Sequence, residues 1–329
     1  MWAGTTRLAV DRRAPPQWRN LLITNFAVLL LSACAGLDGP PVADYDEADF
    51  WDSSLIFVRH IDVTSLQSVH DRFPLNLSGI VSAIAASGDD LYFVDQGSGL
   101  LVQLSLSTMT ADILTTLRIA DSNGLFASDD GRVYVLDRFD RTVVAIDTLY
   151  EETHRYSLAS IMSSPADIAM VDDEQFLVVI DGLDGRMAKV DKLGGVYRLQ
   201  RTDSPSSASL MSVKAIAAGG NSIFVLDDTA GEVIGFDSEG RAVGLYATDE
   251  LGHATALAAD SCGRFFVADD YDGSLFIGLS DMSLPGVRVS VEELTGTEVS
   301  DLWTDDVFLY VATQADGIYV FLIDPECGL

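Results

Sequence analysis

Positive charge is scarce in this sequence, and lysine is the scarcest source of it. The chain has only Lys189, Lys192 and Lys214, and lysine plus arginine number 20 against 50 aspartates and glutamates. The formal net charge is therefore −30. Nucleic acids and anionic lipid surfaces both require basic residues, so this charge balance argues against either as an electrostatic partner. A partner that carries positive charge suits the chain, as does adaptation to a salty medium.

Long apolar runs and short catalytic motifs are missing as well. The apolar run at residues 21–31 covers eleven positions, whereas a membrane-spanning helix needs about 20. The chain has no Gly-x-Ser-x-Gly elbow, no P-loop and no His-Glu-x-x-His motif. No motif therefore requires a cofactor.

The N-terminal segment has the features of an export signal. Four arginines precede the apolar run at residues 21–31, and Leu31-Ser32-Ala33-Cys34 follows it directly. This order is typical of a signal peptide. The four residues resemble the lipobox of bacterial lipoproteins, which implies lipid attachment at Cys34 and anchoring of the mature chain to a membrane. The alternative is an ordinary cleavage site that happens to precede a cysteine.

The resemblance also predicts the domain boundaries and the location. Residues 1–33 would be the signal peptide, residues 34–50 a lipidated flexible tether and residues 51–329 the folded domain. The tether contains Gly36, Gly39, Pro40 and Pro41, residues that are common in linkers. Ala35 rather than aspartate follows Cys34, which in a Gram-negative host favours the outer membrane. We therefore expect an exported protein of the cell envelope.

A five-residue pattern recurs six times at intervals of 42 to 46 residues. Each copy is a run of apolar residues that closes on aspartate, except that the last closes on Thr313. The copies are 91–95 (LYFVD), 133–137 (VYVLD), 177–181 (LVVID), 223–227 (IFVLD), 265–269 (FFVAD) and 309–313 (LYVAT). A fixed period of this length marks a repeat architecture.

Each repeat contains four short strand-like segments separated by turns. A segment rich in small residues comes first, two apolar segments follow, and a more polar segment ends most repeats. This pattern predicts an all-β fold, a six-bladed β-propeller with four-stranded antiparallel blades. The sixth repeat lacks its outer strand, and an unassigned strand at residues 54–63 precedes the first repeat. We expect that strand to complete the last blade and close a monomeric ring.

The repeats resemble those of the NHL-repeat family of propellers. The stretch Phe266-Val267-Ala268-Asp269-Asp270-Tyr271-Asp272-Gly273-Ser274-Leu275 carries the resemblance, and residues 133–148 are similar to the YVTN-type repeat as well. The resemblance covers residues 54–325. It implies the fold but not one function, because the family contains ligases, lyases and binding modules.

The repeated aspartates are the first candidate site. In a propeller the turns after the second strands share one face, which would gather Asp95, Asp137, Asp181, Asp227 and Asp269, with Asp316 in the last turn. Such a ring of carboxylates could hold Ca²⁺ or dock a basic partner. The alternative is that each aspartate accepts hydrogen bonds within its own turn.

A second candidate site lies where the chain enters the first strands. His253 precedes the first strand of the fifth repeat, and Asn123 precedes that of the second. Propeller lyases of the family bind zinc through several histidines, and lactonase-like propellers combine Glu, Asn and Asp around a metal. Only one histidine is suitably placed here, and no glutamate accompanies Asn123.

Two functional hypotheses follow from these observations. The first is a lipid-anchored binding or scaffold module for a protein or an envelope component. The alternative is a metal-dependent lactonase- or lyase-type enzyme whose site lies around His253 and Asn123. Among the three cysteines, Cys262 and Cys327 remain after lipidation of Cys34 and could form a disulfide in an oxidising compartment.

Overall fold

The described part of the chain is built from short strands. The computed structural model describes residues 55–68, 75–115, 119, 122–147, 152–171, 176–191, 195–199, 210, 212–220, 222–247, 251, 253–269, 273–280 and 286–323. The chain divides into two units, Met1–Asp46 and Glu47–Leu329, and all described residues belong to the second. Cys34 and the predicted tether lie outside the described residues. Within those residues, no helix is long and apolar enough to cross a membrane.

Twenty-five strands and two 3-10 helices, Val63–Ser65 and Glu292–Leu294, make up the regular structure of the described residues. In chain order the strands are β1 (Leu55–Ile61), β2 (Gln67–Ser68), β3 (Val81–Ser87), β4 (Asp90–Asp95), β5 (Leu100–Ser105), β6 (Thr110–Thr115), β7 (Leu125–Ala127), β8 (Val133–Asp137), β9 (Thr142–Ile146), β10 (Glu152–Ser157), β11 (Pro165–Val171), β12 (Phe176–Asp181), β13 (Met187–Asp191), β14 (Val196–Leu199), β15 (Val213–Gly219), β16 (Ser222–Asp227), β17 (Glu232–Asp237), β18 (Ala242–Ala247), β19 (Ala254–Ala259), β20 (Arg264–Asp269), β21 (Ser274–Leu279), β22 (Val287–Ser290), β23 (Val299–Thr304), β24 (Phe308–Thr313) and β25 (Ile318–Ile323).

The strands form six antiparallel blades, which confirms the predicted fold. Blades 1 to 5 comprise β3–β6, β7–β10, β11–β14, β15–β18 and β19–β22, and blade 1 carries β2 as a parallel addition. Blade 6 consists of β23, β24, β25 and β1. The first strands contact one another in the closed order β3, β7, β11, β15, β19, β23 and back to β3. These six strands therefore surround the axis of a six-bladed propeller.

The core of the propeller lies between the blades. Six clusters of buried side chains are present in the described residues, and each cluster joins two neighbouring blades. The second strands are buried along most of their length, for example in β8 and β20. This burial on both faces explains why the repeated pattern is a continuous apolar run rather than an alternating one. Outer strands such as β14 are more exposed.

The N-terminal strand closes the ring, as the sequence predicted for residues 54–63. β1 pairs antiparallel with β25, from Leu55 opposite Ile323 to Ile61 opposite Ile318. Ile61 is buried in the cluster between blades 6 and 1, whereas Phe57 is 40% exposed. Phe57 packs its ring against Phe321 at a centroid distance of 5.7 Å. The C-terminal end of β1 is therefore better buried than its middle and contributes more to closure.

Two substitutions in β1 test this closure. Ile61→Asp places a carboxylate in an apolar cluster and should lower the free energy of unfolding by roughly 3–5 kcal/mol, because nothing there compensates the charge. Phe57→Asp, the matched control, should lower it by about 1–2 kcal/mol, since water still reaches that position. Denaturant unfolding measures both. Equal losses in the two variants would contradict the assigned role of Ile61.

Candidate functional site

The repeated aspartates are buried at the ends of the second strands. We call the side of the propeller that holds these strand ends the aspartate face. Asp95, Asp181, Asp227 and Asp269 are at most 1% exposed and Asp137 is 7% exposed. Asp316 differs from them, because it is exposed in the last turn of the same face.

The buried carboxylates accept hydrogen bonds from their own turns and from the loops that precede the blades. Asp95 accepts from the backbone N–H and hydroxyl of Ser78, at 2.8 and 2.7 Å, and from the same two groups of Ser98, at 2.9 and 2.6 Å. Asp181 is bonded similarly by Ser163, Ser164 and Leu183. One carboxylate thus holds a turn and a loop together.

Thr313 performs part of the same task in the copy that lacks aspartate. Its hydroxyl donates to the carbonyl of Gly317 at 3.0 Å and accepts from the N–H of Asp316 at 3.1 Å. Asp269 makes an additional bond, because Arg288 donates to its carboxylate at 2.8 Å. These hydrogen bonds account for a polar residue at this position in every repeat.

Removing one of these carboxylates should destabilise the fold. Asp95→Ala leaves four donors without their acceptor, so we expect a loss of roughly 2–4 kcal/mol in the free energy of unfolding. Asp316→Ala removes an exposed carboxylate and should change stability by less than about 0.5 kcal/mol. Urea unfolding compares the two variants. A wild-type midpoint for Asp95→Ala would show that the turn does not need the carboxylate.

Asn123 and His253 lie on the aspartate face in blades that are three positions apart. The Asn123 amide lies between the Ser122 carbonyl and the Arg138 guanidinium, 3.0 Å from each in the orientation that satisfies both. His253 is exposed, and its backbone N–H donates to Asp269 at 3.2 Å. Within the described residues, no group of three or more His, Cys, Asp or Glu side chains is placed to hold a metal ion.

Cys262 lies on the opposite side, in the turn between β19 and β20, and is disulfide-bonded. Its partner lies outside the described residues, as do Cys34 and Cys327. The pairing of Cys262 with Cys327 therefore stays a prediction.

A cavity of about 750 Å³ lies on the propeller axis, away from the aspartate face. Its walls come from the first strands of all six blades. Its mouth includes Gly220, Glu239, Ser261 and Asp306, which are exposed residues in turns of blades 4, 5 and 6. We call it the axial cavity.

The first strands share a break in their pairing with the second strands, and the residue that follows this break lies at the inner end of the cavity. In five blades the pairing of the first and second strands shifts by one residue near the start of the first strand. The residue after the shift is small in most blades, and Gly124 of blade 2 precedes the paired residues at the same point. The six residues in blade order are Ala83, Gly124, Asp167, Ala215, Ala256 and Asp301.

Aspartate occupies this position in blades 3 and 6, which lie opposite each other in a six-membered ring. Asp167 accepts from its neighbour Ile168 at 2.7 Å and from Ile216 of blade 4 at 2.9 Å. Asp301 repeats the arrangement, accepting at 2.8 Å from both Leu302 and Ile84 of blade 1. Each carboxylate therefore satisfies a backbone N–H on the inner edge of the next blade.

The two carboxylates form the floor of the axial cavity and influence each other. Burial raises the pKa of Asp167 to about 7, although N–H donors from Ile216 and Ile168 and the charge of Arg138 oppose the rise. Burial, together with the charge of Asp167, raises the pKa of Asp301 well above its ordinary value. Two carboxylates that interact in this way, one of them buried, favour a state in which they carry a proton between them.

Gly124 shows how closely the Asp167 carboxylate approaches the neighbouring blade. A Cβ atom on Gly124 would lie 3.0 Å from Oδ1 of Asp167. The missing side chain in blade 2 therefore leaves the space that the carboxylate uses.

An aromatic pair forms one wall of the axial cavity. The rings of Phe126 in blade 2 and Trp303 in blade 6 meet edge to face at a centroid distance of 5.1 Å. Blade 1 lies between them and has only Ala85 at the equivalent position, which leaves room for the contact. Both aromatic residues are partly exposed and line the cavity.

Sequence reasoning missed Asp167 and Asp301, although a signal for them was present. When the repeats are aligned on the isoleucine or leucine of each small-residue segment, the preceding position is alanine or glycine in four copies and aspartate in two; the aligned residues are Ile84, Leu125, Ile168, Ile216, Leu257 and Leu302. A charged residue in a position that is otherwise reserved for the smallest side chains is the exception that would have identified the pair.

The raised pKa of Asp167 predicts the pH dependence of stability. An unfolded aspartate loses its proton near pH 4, whereas the folded one keeps it until about pH 7. The folded state thus binds more protons between these values, and stability should fall as pH rises through that range, by up to about 4 kcal/mol. Asp167→Asn should flatten this decline in thermal unfolding measured from pH 4 to pH 8.

The control for this measurement is Glu293→Gln, which removes one exposed carboxylate near the aspartate face. It should leave the pH dependence as in the wild type. A decline that persists unchanged in Asp167→Asn would show that Asp167 does not keep its proton in the folded state.

Comparison with known proteins supports the fold. Neither a protein-family model nor a curated protein matches the chain. Virginiamycin B lyase from Staphylococcus aureus is similar in structure, with a TM-score of 0.58 and 12% identity over 77% of this chain and 84% of the lyase. A Bacteroides thetaiotaomicron protein of unknown function has a TM-score of 0.59 and 14% identity over 74% of this chain and 70% of that protein.

The hydrazine synthase of Kuenenia stuttgartiensis is a further structural neighbour, with a TM-score of 0.56 and 14% identity over 77% of each chain. The TM-scores show that the chains share the propeller fold, whereas the sequence identities are low. They do not transfer an activity from these neighbours to this chain.

Proposed function

We propose that this chain is an exported, lipid-anchored propeller of the NHL-like type that binds a protein or envelope component through its axial cavity. The single observation that carries the binding role is the cavity itself. Its volume of about 750 Å³ lies within the range of ligand sites, and its lining combines polar groups at the floor and mouth with apolar side chains between them.

Two observations support export and anchoring. The lipobox-like Leu31-Ser32-Ala33-Cys34 follows a basic segment and a short apolar run. Cys262 is disulfide-bonded, and structural disulfides persist in oxidising compartments such as the periplasm or the cell surface. The lipobox-like segment and the disulfide therefore both favour a location outside the cytoplasm.

The negative charge of the chain supports the proposal that its partner is cationic. With a net charge of −30 the protein attracts positive groups from a distance and repels acidic ones. The residues that line the cavity follow the same bias, because Asp237, Glu239 and Asp306 lie near its mouth. Arg241, the basic residue there, is bonded to Asp237 at 2.7 Å and to Glu239 at 3.2 Å.

A co-purification experiment with two variants tests the anchor and the cavity separately. Cys34→Ala should abolish incorporation of labelled palmitate and release the protein from the membrane fraction. Ser261→Trp places a large side chain at the exposed cavity mouth and should remove any partner that binds there. The partner should therefore be recovered with the wild type and lost with Ser261→Trp.

An anchored control with an unrelated propeller identifies background proteins. Equal recovery of every protein with wild type and Ser261→Trp would contradict binding through the cavity. Palmitate labelling that persists in Cys34→Ala would contradict the assigned anchor.

A further inference from the structure

The axial cavity has a charged floor and an apolar wall, and this combination restricts the ligands that it can hold. The lining residues of the first strands begin at Asp167 and Asp301 and continue toward the mouth. Asp167 is 7% exposed, so its carboxylate lies where bulk water contributes little screening. A positive group that reaches this floor would replace the missing solvation.

The wall above the floor suits a carbon skeleton. Each blade has an isoleucine or leucine directly after the floor position, and these side chains border the cavity while packing between the blades, where each is at most 3% exposed; they are Ile84, Leu125, Ile168, Ile216, Leu257 and Leu302. The partly exposed rings of Phe126 and Trp303 follow one residue further along their strands. Aromatic rings attract cations as well as apolar groups.

Charge at the cavity is strongly unbalanced. Its lining contains five carboxylates, those of Asp167, Asp237, Glu239, Asp301 and Asp306, against the guanidinium of Arg241. Arg241 is already bonded to two of the mouth carboxylates. The charge of Arg138 also acts on Asp167, but its guanidinium donates to the Pro165 carbonyl at 3.2 Å and lies outside the lining.

An organic cation fits these features better than a bare metal ion. The floor carboxylates already accept two backbone hydrogen bonds each. A small hard cation prefers six or more oxygen ligands. The cavity also encloses far more volume than an ion fills, and its wall includes the apolar rings of Phe126 and Trp303.

We propose that the axial cavity binds a small organic cation, with an ammonium or guanidinium group at Asp167 and Asp301 and an apolar body against Phe126 and Trp303. This proposal rests on the proposed function, because it names the chemical class of ligand that the same cavity takes. A free amine and a basic side chain of a protein partner share this chemistry.

Binding of the cation should displace the proton that the two aspartates hold. At neutral pH an ammonium group near the floor favours the ionised form of both carboxylates. Binding should therefore release a fraction of a proton to the buffer, and the heat of binding should differ between phosphate and MOPS at the same pH, two buffers of different ionisation enthalpy that carry no net positive charge. A ligand held by the walls alone would not produce this difference.

Calorimetric titration of the purified full chain with three matched probes tests the proposal. Phenethylammonium carries the positive charge, 2-phenylethanol is its neutral counterpart and 3-phenylpropanoate is negatively charged. We expect the ammonium to bind at least tenfold more tightly than the alcohol, and the carboxylate to show no binding. Because the comparison uses wild-type protein, it does not depend on the folding of a variant.

Substitutions then locate the bound cation. Asp301→Asn should weaken phenethylammonium binding at least tenfold and leave 2-phenylethanol binding within twofold. Trp303→Leu should weaken both probes. Glu293→Gln, which removes the same charge from an exposed position near the aspartate face, should leave the affinities for the ammonium and the alcohol within twofold of wild type.

The outcomes distinguish this proposal from the proposed function. Equal affinity for the ammonium and the alcohol, or loss of affinity in Glu293→Gln as large as in Asp301→Asn, would overturn the cation proposal. If Ser261→Trp nevertheless removes a partner in co-purification, the cavity is still a binding site and only the ligand class is wrong. If free amines fail but a lysine-rich peptide binds and is lost in Asp301→Asn, the cation comes from a protein partner.

Discussion

The structure depends on the packing of each blade against its two neighbours. A single four-stranded blade has apolar side chains on both faces and cannot bury them alone, so the six clusters between blades provide the core. Every blade has two neighbours to pack against only if the ring is closed. β1 closes it by pairing with β25 and placing Ile61 between blades 6 and 1. The N-terminal strand thus completes both a blade and the core on either side of it.

Ring closure also restricts the size of the side chains that fit near the axis. The first strands converge there, and alanine or glycine occupies the crowded position after the strand irregularity in four blades. The two aspartates at this position use the limited space differently, because each bonds a backbone N–H of the next blade. The same crowding that excludes large side chains brings these two charges close together, and burial raises their pKa values.

The sequence predicted the fold in detail but located the candidate site on the other side of the propeller. The period of the aspartate-ending runs predicted six blades, and the missing outer strand of the sixth repeat predicted closure by residues 54–63; both predictions are confirmed. The repeated aspartates predicted a site because they recur, yet Asp95 and Asp181 are buried and accept hydrogen bonds within the aspartate face. Aspartate occupies the position of Asp167 and Asp301 in only two blades, so the six-fold repeat did not predict a site there.

The strand pattern, the number of blades and the acidic character are all readable from the amino-acid sequence, because they follow from local periodicity and composition. The sequence also supplied the lipobox-like segment before Cys34, which lies outside the described residues. The folded ring, in contrast, is needed to know which of its faces carries a cavity and which carboxylates line that cavity. Asp167 and Asp301 are separated by more than a hundred residues of chain, and closing six blades into a circle is what places them across one axis. No local pattern contains that information, since it arises from the number of blades and the way the ring closes.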